Sequence, residues 1–309
     1  MLKVKNLYKN FGNIIAVDGI NFEVKRGEVF GLLGPNGAGK STTISIISTL
    51  IPPTKGEILF EGESIFENSK NLRQKLGIVP QDIALYPTLT GYENLVFWGN
   101  LYGLKGAELK KRIKEVADII GLNGRLKDKV EKYSGGMKRR LNIGAALLHH
   151  PELLIMDEPT VGIDPQSRSH ILDTVLKLSA QGMTIIYTTH YMEEAEELCT
   201  RICIMDEGKI IASGTKQELV ELVNEKTQIN IKLDNISDNM LQIFKGIPGV
   251  YDATIIGDTV TLFGENGSIL LAEIISKALE ENTKIQSIDI QKPNLEAVFL
   301  HLTGKALRD

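Results

Sequence analysis

The sequence predicts an α/β fold, a mostly parallel central sheet covered by helices, followed by a smaller α+β unit. Three observations carry this. Over the first two thirds of the 309 residues, short apolar runs alternate with helical patterns, as strands joined by helical crossovers do. A glycine-rich stretch, Gly34 to Ser41, stands between an apolar run and a helical one. Beyond about residue 226 the chain switches to apolar/polar alternation, the signature of half-buried strands.

The elements follow in order. Ile20 to Val24 and Val29 to Leu33 read as strands, and Gly39 to Leu50 as a helix. Antiparallel strands near the N-terminus are expected to add a second small sheet. Residues 84–148 read as a helical insert. Leu153 to Met156 is too short for a helix and reads as a buried strand, as does Thr184 to Tyr187; Gln166 to Ala180 lies between them as a helix. A first domain is therefore placed at 1–226 and a second at 227–309. In the second, Ile229, Ile231 and Leu233 face one way and Asn230 and Lys232 the other. A helix (Asn239 to Phe244), two strands around a Gly257-Asp258 turn, a helix (Leu270 to Leu279), a strand (Ile285 to Ile290) and a last helix (Asn294 to Leu302) complete it. The order βαββαβ is that of a ferredoxin-like unit.

Bulk properties exclude several classes. Hydrophobic residues at 42% and charged residues at 24% are ordinary for a globular chain. The net charge of −4 offers no basic excess for nucleic acid or anionic lipid. Two cysteines, Cys199 and Cys203, are too few for a disulfide framework and lack companion ligands for a metal, so buried inert thiols are expected. No apolar run approaches the ~18–20 residues that cross a bilayer, and Met1 to Asn6 lacks the apolar core of a signal peptide.

Gly34-Pro35-Asn36-Gly37-Ala38-Gly39-Lys40-Ser41 matches G-x-x-x-x-G-K-[ST] in the required strand-to-helix context. Its glycines let backbone N–H groups turn inward around an anion, and the helix N-terminus adds partial positive charge. Lys40 can neutralise phosphates and Ser41 can ligate Mg²⁺. The motif alone leaves kinases, GTPases and motor ATPases open. Asp157 and Glu158 end the apolar run Leu153 to Met156. Asp157 at the strand edge suits Mg²⁺, and Glu158, one residue on, suits a general base for an attacking water. Upstream, Ser134-Gly135-Gly136 opens another helix and makes a second anion-receptive N-terminus. Two such ends in one chain suggest that the second serves the nucleotide of a partner chain.

These motifs, with Gly162-Ile163-Asp164-Pro165 and Thr188-Thr189-His190, occur in the order of an ABC transporter nucleotide-binding domain, which the chain resembles over about residues 1–220. The resemblance implies a P-loop ATPase that takes ATP and Mg²⁺. It places nucleotide contacts at Phe11, Val17, Asn36, Gly37, Ala38, Gly39, Lys40, Ser41 and Thr42, and at Ser134, Gly135 and Gly136 from the partner. It assigns Mg²⁺ to Ser41, Gln81 and Asp157, and catalysis to Glu158, His190 and Gln81. Phe11 would stack on adenine where the family often has tyrosine, with Tyr8 as the rival. Asp164 would link the two sites of a dimer. The signature departs from the family at Tyr133 and Met137, where many members have leucine and glutamine.

The resemblance also implies a separate membrane permease as partner, a homodimer or heterodimer of ATPase subunits, and a place on the cytoplasmic face of the membrane. The segment holding Tyr86, Leu89, Tyr92, Leu95, Phe97, Trp98 and Tyr102 is where family members receive a permease helix. The ending Pro293 to Gly304 resembles drug- and antibiotic-exporter-type subunits. The other reading is a soluble ABC ATPase acting on nucleic acid or ribosomes; no nucleic-acid partner is expected, given the acidic charge and the lack of a coiled coil or zinc cysteines.

Overall fold

The computed structural model describes residues 1–222, 227–234, 238–256, 259–264, 267–281, 283–291 and 294–303. The chain forms two compact units, one holding Met1–Thr215 and the other beginning at Lys216.

The first unit opens with two long strands, β1 (Leu2–Phe11) and β2 (Ile14–Val24). They join β4 (Lys55–Phe60) and β5 (Glu63–Ser64) in an antiparallel sheet of order β2-β1-β4-β5. The second sheet takes β3 (Val29–Leu33), β6 (Leu76–Val79), β7 (Leu153–Asp157), β8 (Thr184–Thr189), β9 (Arg201–Asp206) and β10 (Lys209–Gly214), in the order β10-β9-β3-β8-β7-β6. Every pairing in it is parallel except β10 with β9. β3, β7 and β8 are buried at every position, which is why they read as unbroken apolar runs rather than alternating ones. The crossovers α1 (Lys40–Ile47), α2 (Ser69–Lys75), α6 (Pro165–Ala180) and α7 (Met192–Leu198) connect the strands. α6 begins cleanly because Asp164 accepts from Ser167 N at 2.9 Å while Pro165 occupies the first helical position.

Between β6 and β7 lie α3 (Gly91–Leu101), α4 (Gly106–Ile119), a 3-10 turn (Val130–Lys132) and α5 (Gly135–Leu147). The start of α3 is set by a capping box, Thr90 with Glu93. Within this insert Leu95 is core, whereas Tyr86, Tyr92 and Tyr102 are exposed and Tyr86 packs edge-on against Phe97 at 4.8 Å.

β9 and β10 were not anticipated from sequence. Cys199 caps the end of α7 and Cys203 sits within β9. Both thiols are free and buried. Burial raises the Cys199 pKa well above its ordinary value and pushes Cys203 up to about 11. No described helix is long and apolar enough to cross a membrane.

The second unit contains α8 (Lys216–Glu221), β11 (Thr227–Leu233), α9 (Asp238–Lys245), β12 (Val250–Ile256), β13 (Thr259–Gly264), α10 (Gly267–Glu280), β14 (Ile285–Gln291) and α11 (Leu295–Thr303). Its sheet runs β12-β13-β11-β14, antiparallel throughout, the strand order expected of a ferredoxin-like unit. Ile229, Ile231, Phe244, Leu262 and Ile274 form its own core. The anticipated Gly257-Asp258 turn lies outside the described residues.

Candidate functional site

The site lies at the C-terminal ends of β3, β7 and β8, where a parallel sheet leaves strand ends and helix starts facing one crevice. Between β3 and α1 the backbone adopts left-handed conformations at Gly37 (φ 84°) and Gly39 (φ 98°). At Gly39 a side chain has no room, since a Cβ would stand 2.4 Å from the Ala16 carbonyl oxygen. Gly34 is equally confined, with a Cβ 2.2 Å from the Met205 carbonyl oxygen. Lys40, almost fully buried, turns its ammonium back over the loop. It donates to the carbonyls of Gly34 (2.8 Å) and Pro35 (3.0 Å) and lies 3.0 Å from Glu158 Oε1.

Of the two carboxylates, Glu158 lines the cleft and Asp157 precedes it at the end of β7, bonded to Ser41. Asp157 Oδ1 accepts from Ser41 Oγ at 3.3 Å and from Thr188 Oγ1 at 2.5 Å. Glu158 follows at φ 44°, a conformation that costs a non-glycine residue energy and persists only when surrounding contacts impose it. The imposing contacts are its N–H bonds to the Thr188 carbonyl (3.2 Å) and hydroxyl (2.9 Å). Its carboxylate accepts from Gln81 Nε2 at 3.4 Å. His190 Nδ1 lies 3.5 Å from Glu158 Oε1, beyond good hydrogen-bond length, and this buried nitrogen has no hydrogen-bond partner among the described residues. The cleft so formed has a volume of about 230 Å³, and its lining includes Asn36, Gly37, Gly39, Lys40, Ser41, Thr42, Gln81 and Glu158. Ala38 is buried in the loop beneath them. A cradle of backbone N–H groups, a buried cation and two adjacent carboxylates can hold a polyphosphate with a hard divalent cation and activate a water against it.

Not every anticipated residue reaches the cleft. Val17 is fully buried in the core of the first unit, and its neighbour Ala16 lines the cleft instead. Alternation along β2 sends adjacent side chains to opposite faces, so one position separates a wall from a core residue. Phe11, at the end of β1, is half exposed, with Lys9 Nζ 5.0 Å from its ring centroid. Ser134, Gly135 and Gly136 stand apart at the start of α5 and do not line the cleft. Ser134 is exposed and caps α5 by accepting from Met137 N at 3.2 Å. Thr188 and Arg139 were missed. Thr188 stands beside His190 in the same short motif. Nothing in the sequence singled out Arg139, whose guanidinium donates to the carbonyls of Pro80 (2.6 Å) and Gln81 and so ties α5 to the Gln81 loop.

Gly136 permits an expected result on stability. A Cβ there would stand 2.0 Å from Ser167 Oγ and 2.1 Å from Ser167 Cβ. Gly136→Ala should therefore destabilise the fold by about 1–3 kcal/mol. Thermal unfolding measures this. Ser167→Gly in the same chain should restore part of the loss, and an unchanged melting temperature in the single variant would show the contact to be soft.

Fold and site together define an ATPase of the ABC class. A family model described as ABC transporter matches residues 17–161. The chain is similar to the linearmycin resistance ATP-binding protein LnrL of Bacillus subtilis (strain 168), with 51% identity over 100% of both chains. It is 37% identical to the Nod factor export ATP-binding protein I of Cupriavidus pinatubonensis, over 100% of this chain and 92% of that one. A solved dimeric ATP-binding cassette in a post-hydrolysis state, bound to ADP and Pi, superposes with a TM-score of 0.63 at 30% identity, covering 70% of this chain and 98% of that one. The chain belongs to the ABC transporter ATP-binding proteins, and it binds and hydrolyses ATP.

Proposed function

We propose that the chain is the energy-supplying subunit of an exporter, held at the cytoplasmic face of the membrane by a permease that is a separate polypeptide, and that two ATPase subunits close around two Mg-ATP. The export reading is supported by the similarity to proteins named for linearmycin resistance and Nod factor export. Its docking surface would be the insert, where Tyr86, Tyr92 and Tyr102 are exposed on a segment of the kind that receives a partner helix. The second reading, action on nucleic acid or ribosomes, has no observation in its favour.

The observation that carries the closed-dimer reading is the separation of the two anion-receptive helix ends. Lys40 lines the cleft and Ser134 does not, so one chain holds half of two sites. In this reading Lys40 neutralises the β- and γ-phosphates and Phe11 stacks on adenine. Mg²⁺ fits the oxygen donors of Ser41 and Asp157, with Gln81 close by, and would neutralise phosphate charge there. The attacking water gives its proton to Glu158 as its oxygen bonds to the γ-phosphorus, and the bond to the β–γ bridging oxygen breaks. His190 donates to the γ-phosphate. The partner's Ser134 and Gly136 clasp the same group, so its departure opens the dimer. Met137, lacking the usual amide, gives up one contact across the dimer.

Cross-linking tests the composite site. With Asn36→Cys and Ser134→Cys in a Glu158→Gln background, ATP should produce a cross-linked dimer; the native thiols are too buried and too weakly acidic to compete. A cross-link independent of ATP, or none, would count against closure. Co-purification from membranes with a membrane protein supports the transport reading, whereas co-purification with RNA or DNA contradicts it.

A further inference from the structure

Glu194, in the first turn of α7, has no exposed surface. A carboxylate removed from water needs compensating donors, and three converge on it. Tyr187 Oη (2.8 Å) and Thr189 Oγ1 (3.0 Å) donate to Oε2, and Arg168 Nε (2.7 Å) donates to Oε1. Tyr187 and Thr189 are two apart on β8 and share a face. Thr188, between them, points to the other face and binds Asp157 and the Glu158 backbone. β8 is thus held to the nucleotide cleft on one side and to Glu194 on the other.

The Glu194 network brackets His190. Thr189 precedes it, and Thr189 Oγ1 also accepts from the N–H of Tyr191, which follows it, at 2.9 Å. The Tyr191 ring lies 4.2 Å from the His190 ring and 4.7 Å from the Arg168 guanidinium. Arg168 belongs to the first turns of α6, the helix capped by Asp164. We propose that Glu194 is a positioning residue for ATP hydrolysis: it sets His190 relative to Glu158 and couples that placement, through Arg168, to the segment opened by Asp164. The proposal rests on the role of His190 in the proposed function.

The test uses the full chain in single-turnover hydrolysis, with ATP affinity measured separately. Glu194→Gln keeps the size and one acceptor oxygen and loses the charge facing Arg168. It should fold, bind ATP within about threefold of the parent and hydrolyse it about tenfold more slowly, since small misplacements of a reacting group cost rate before affinity. Glu194→Ala, which strands Tyr187 and Thr189, should lose more. In a His190→Ala background Glu194→Gln should add no further loss, because residues acting as one unit are non-additive. The same tenfold loss in both backgrounds, or undiminished hydrolysis in the single variant, overturns the proposal. Full activity in His190→Ala alone is a different result: it removes the reading of His190 itself, and this proposal with it.

Discussion

Glu158→Gln is expected to slow ATP hydrolysis about 10²–10⁴-fold, the usual loss on removing a general base, while leaving ATP binding intact. The amide is isosteric, and the strained backbone at this position is held by the N–H bonds to Thr188, which the substitution does not touch. Proton acceptance is lost while the backbone placement stays. Removing the carboxylate also takes away the anion that lies 3.0 Å from Lys40, so incoming phosphates meet a cation with one competitor fewer. The variant should therefore accumulate as an ATP-bound dimer. Gel filtration with and without Mg-ATP, beside a phosphate-release assay, reports both properties. A variant that stays monomeric and turns over at the parental rate would remove Glu158 from the chemistry.

Lys40→Ala carries the second large effect, with hydrolysis expected to fall about 10²–10³-fold or more and ATP affinity to fall with it. The reason is geometric. The ammonium is the buried cation beside the loop, anchored by two loop carbonyls at 2.8 and 3.0 Å. Its removal also strands Glu158, which is about as buried as Lys40. Breaking a buried ion pair from one side costs about 3–5 kcal/mol. The single variant should therefore melt at a lower temperature. Lys40→Ala with Glu158→Gln should recover melting temperature without recovering turnover, which separates the structural role of the pair from its chemical one. Undiminished hydrolysis in Lys40→Ala contradicts the assignment.

The phosphate loop, the paired carboxylates and the βαββαβ order of the second unit were legible in the chain because each is a local signal. A run such as Leu153 to Met156 states its burial on both faces, and a glycine run before Lys-Ser states a backbone that must approach an anion. Register-dependent features were not legible. Val17 and Ala16 are equally apolar neighbours, and only the pairing of β2 with β1, interrupted by register shifts, decides which one meets the cleft. The stretch from Glu193 to Glu197 holds four glutamates that look alike in sequence, and one of them is wholly buried.

The kind of chemistry this chain performs was therefore written in residue types at short spacing, since a phosphate cradle and a carboxylate pair are built from neighbours along the backbone. The arrangement of that chemistry was not. Thr188 pinning Glu158, Arg139 holding the Gln81 loop and Glu194 gathering Tyr187, Thr189 and Arg168 join residues from separate elements. Such contacts exist only once helices and strands have packed, because burial turns an ordinary polar side chain into one that must find a partner.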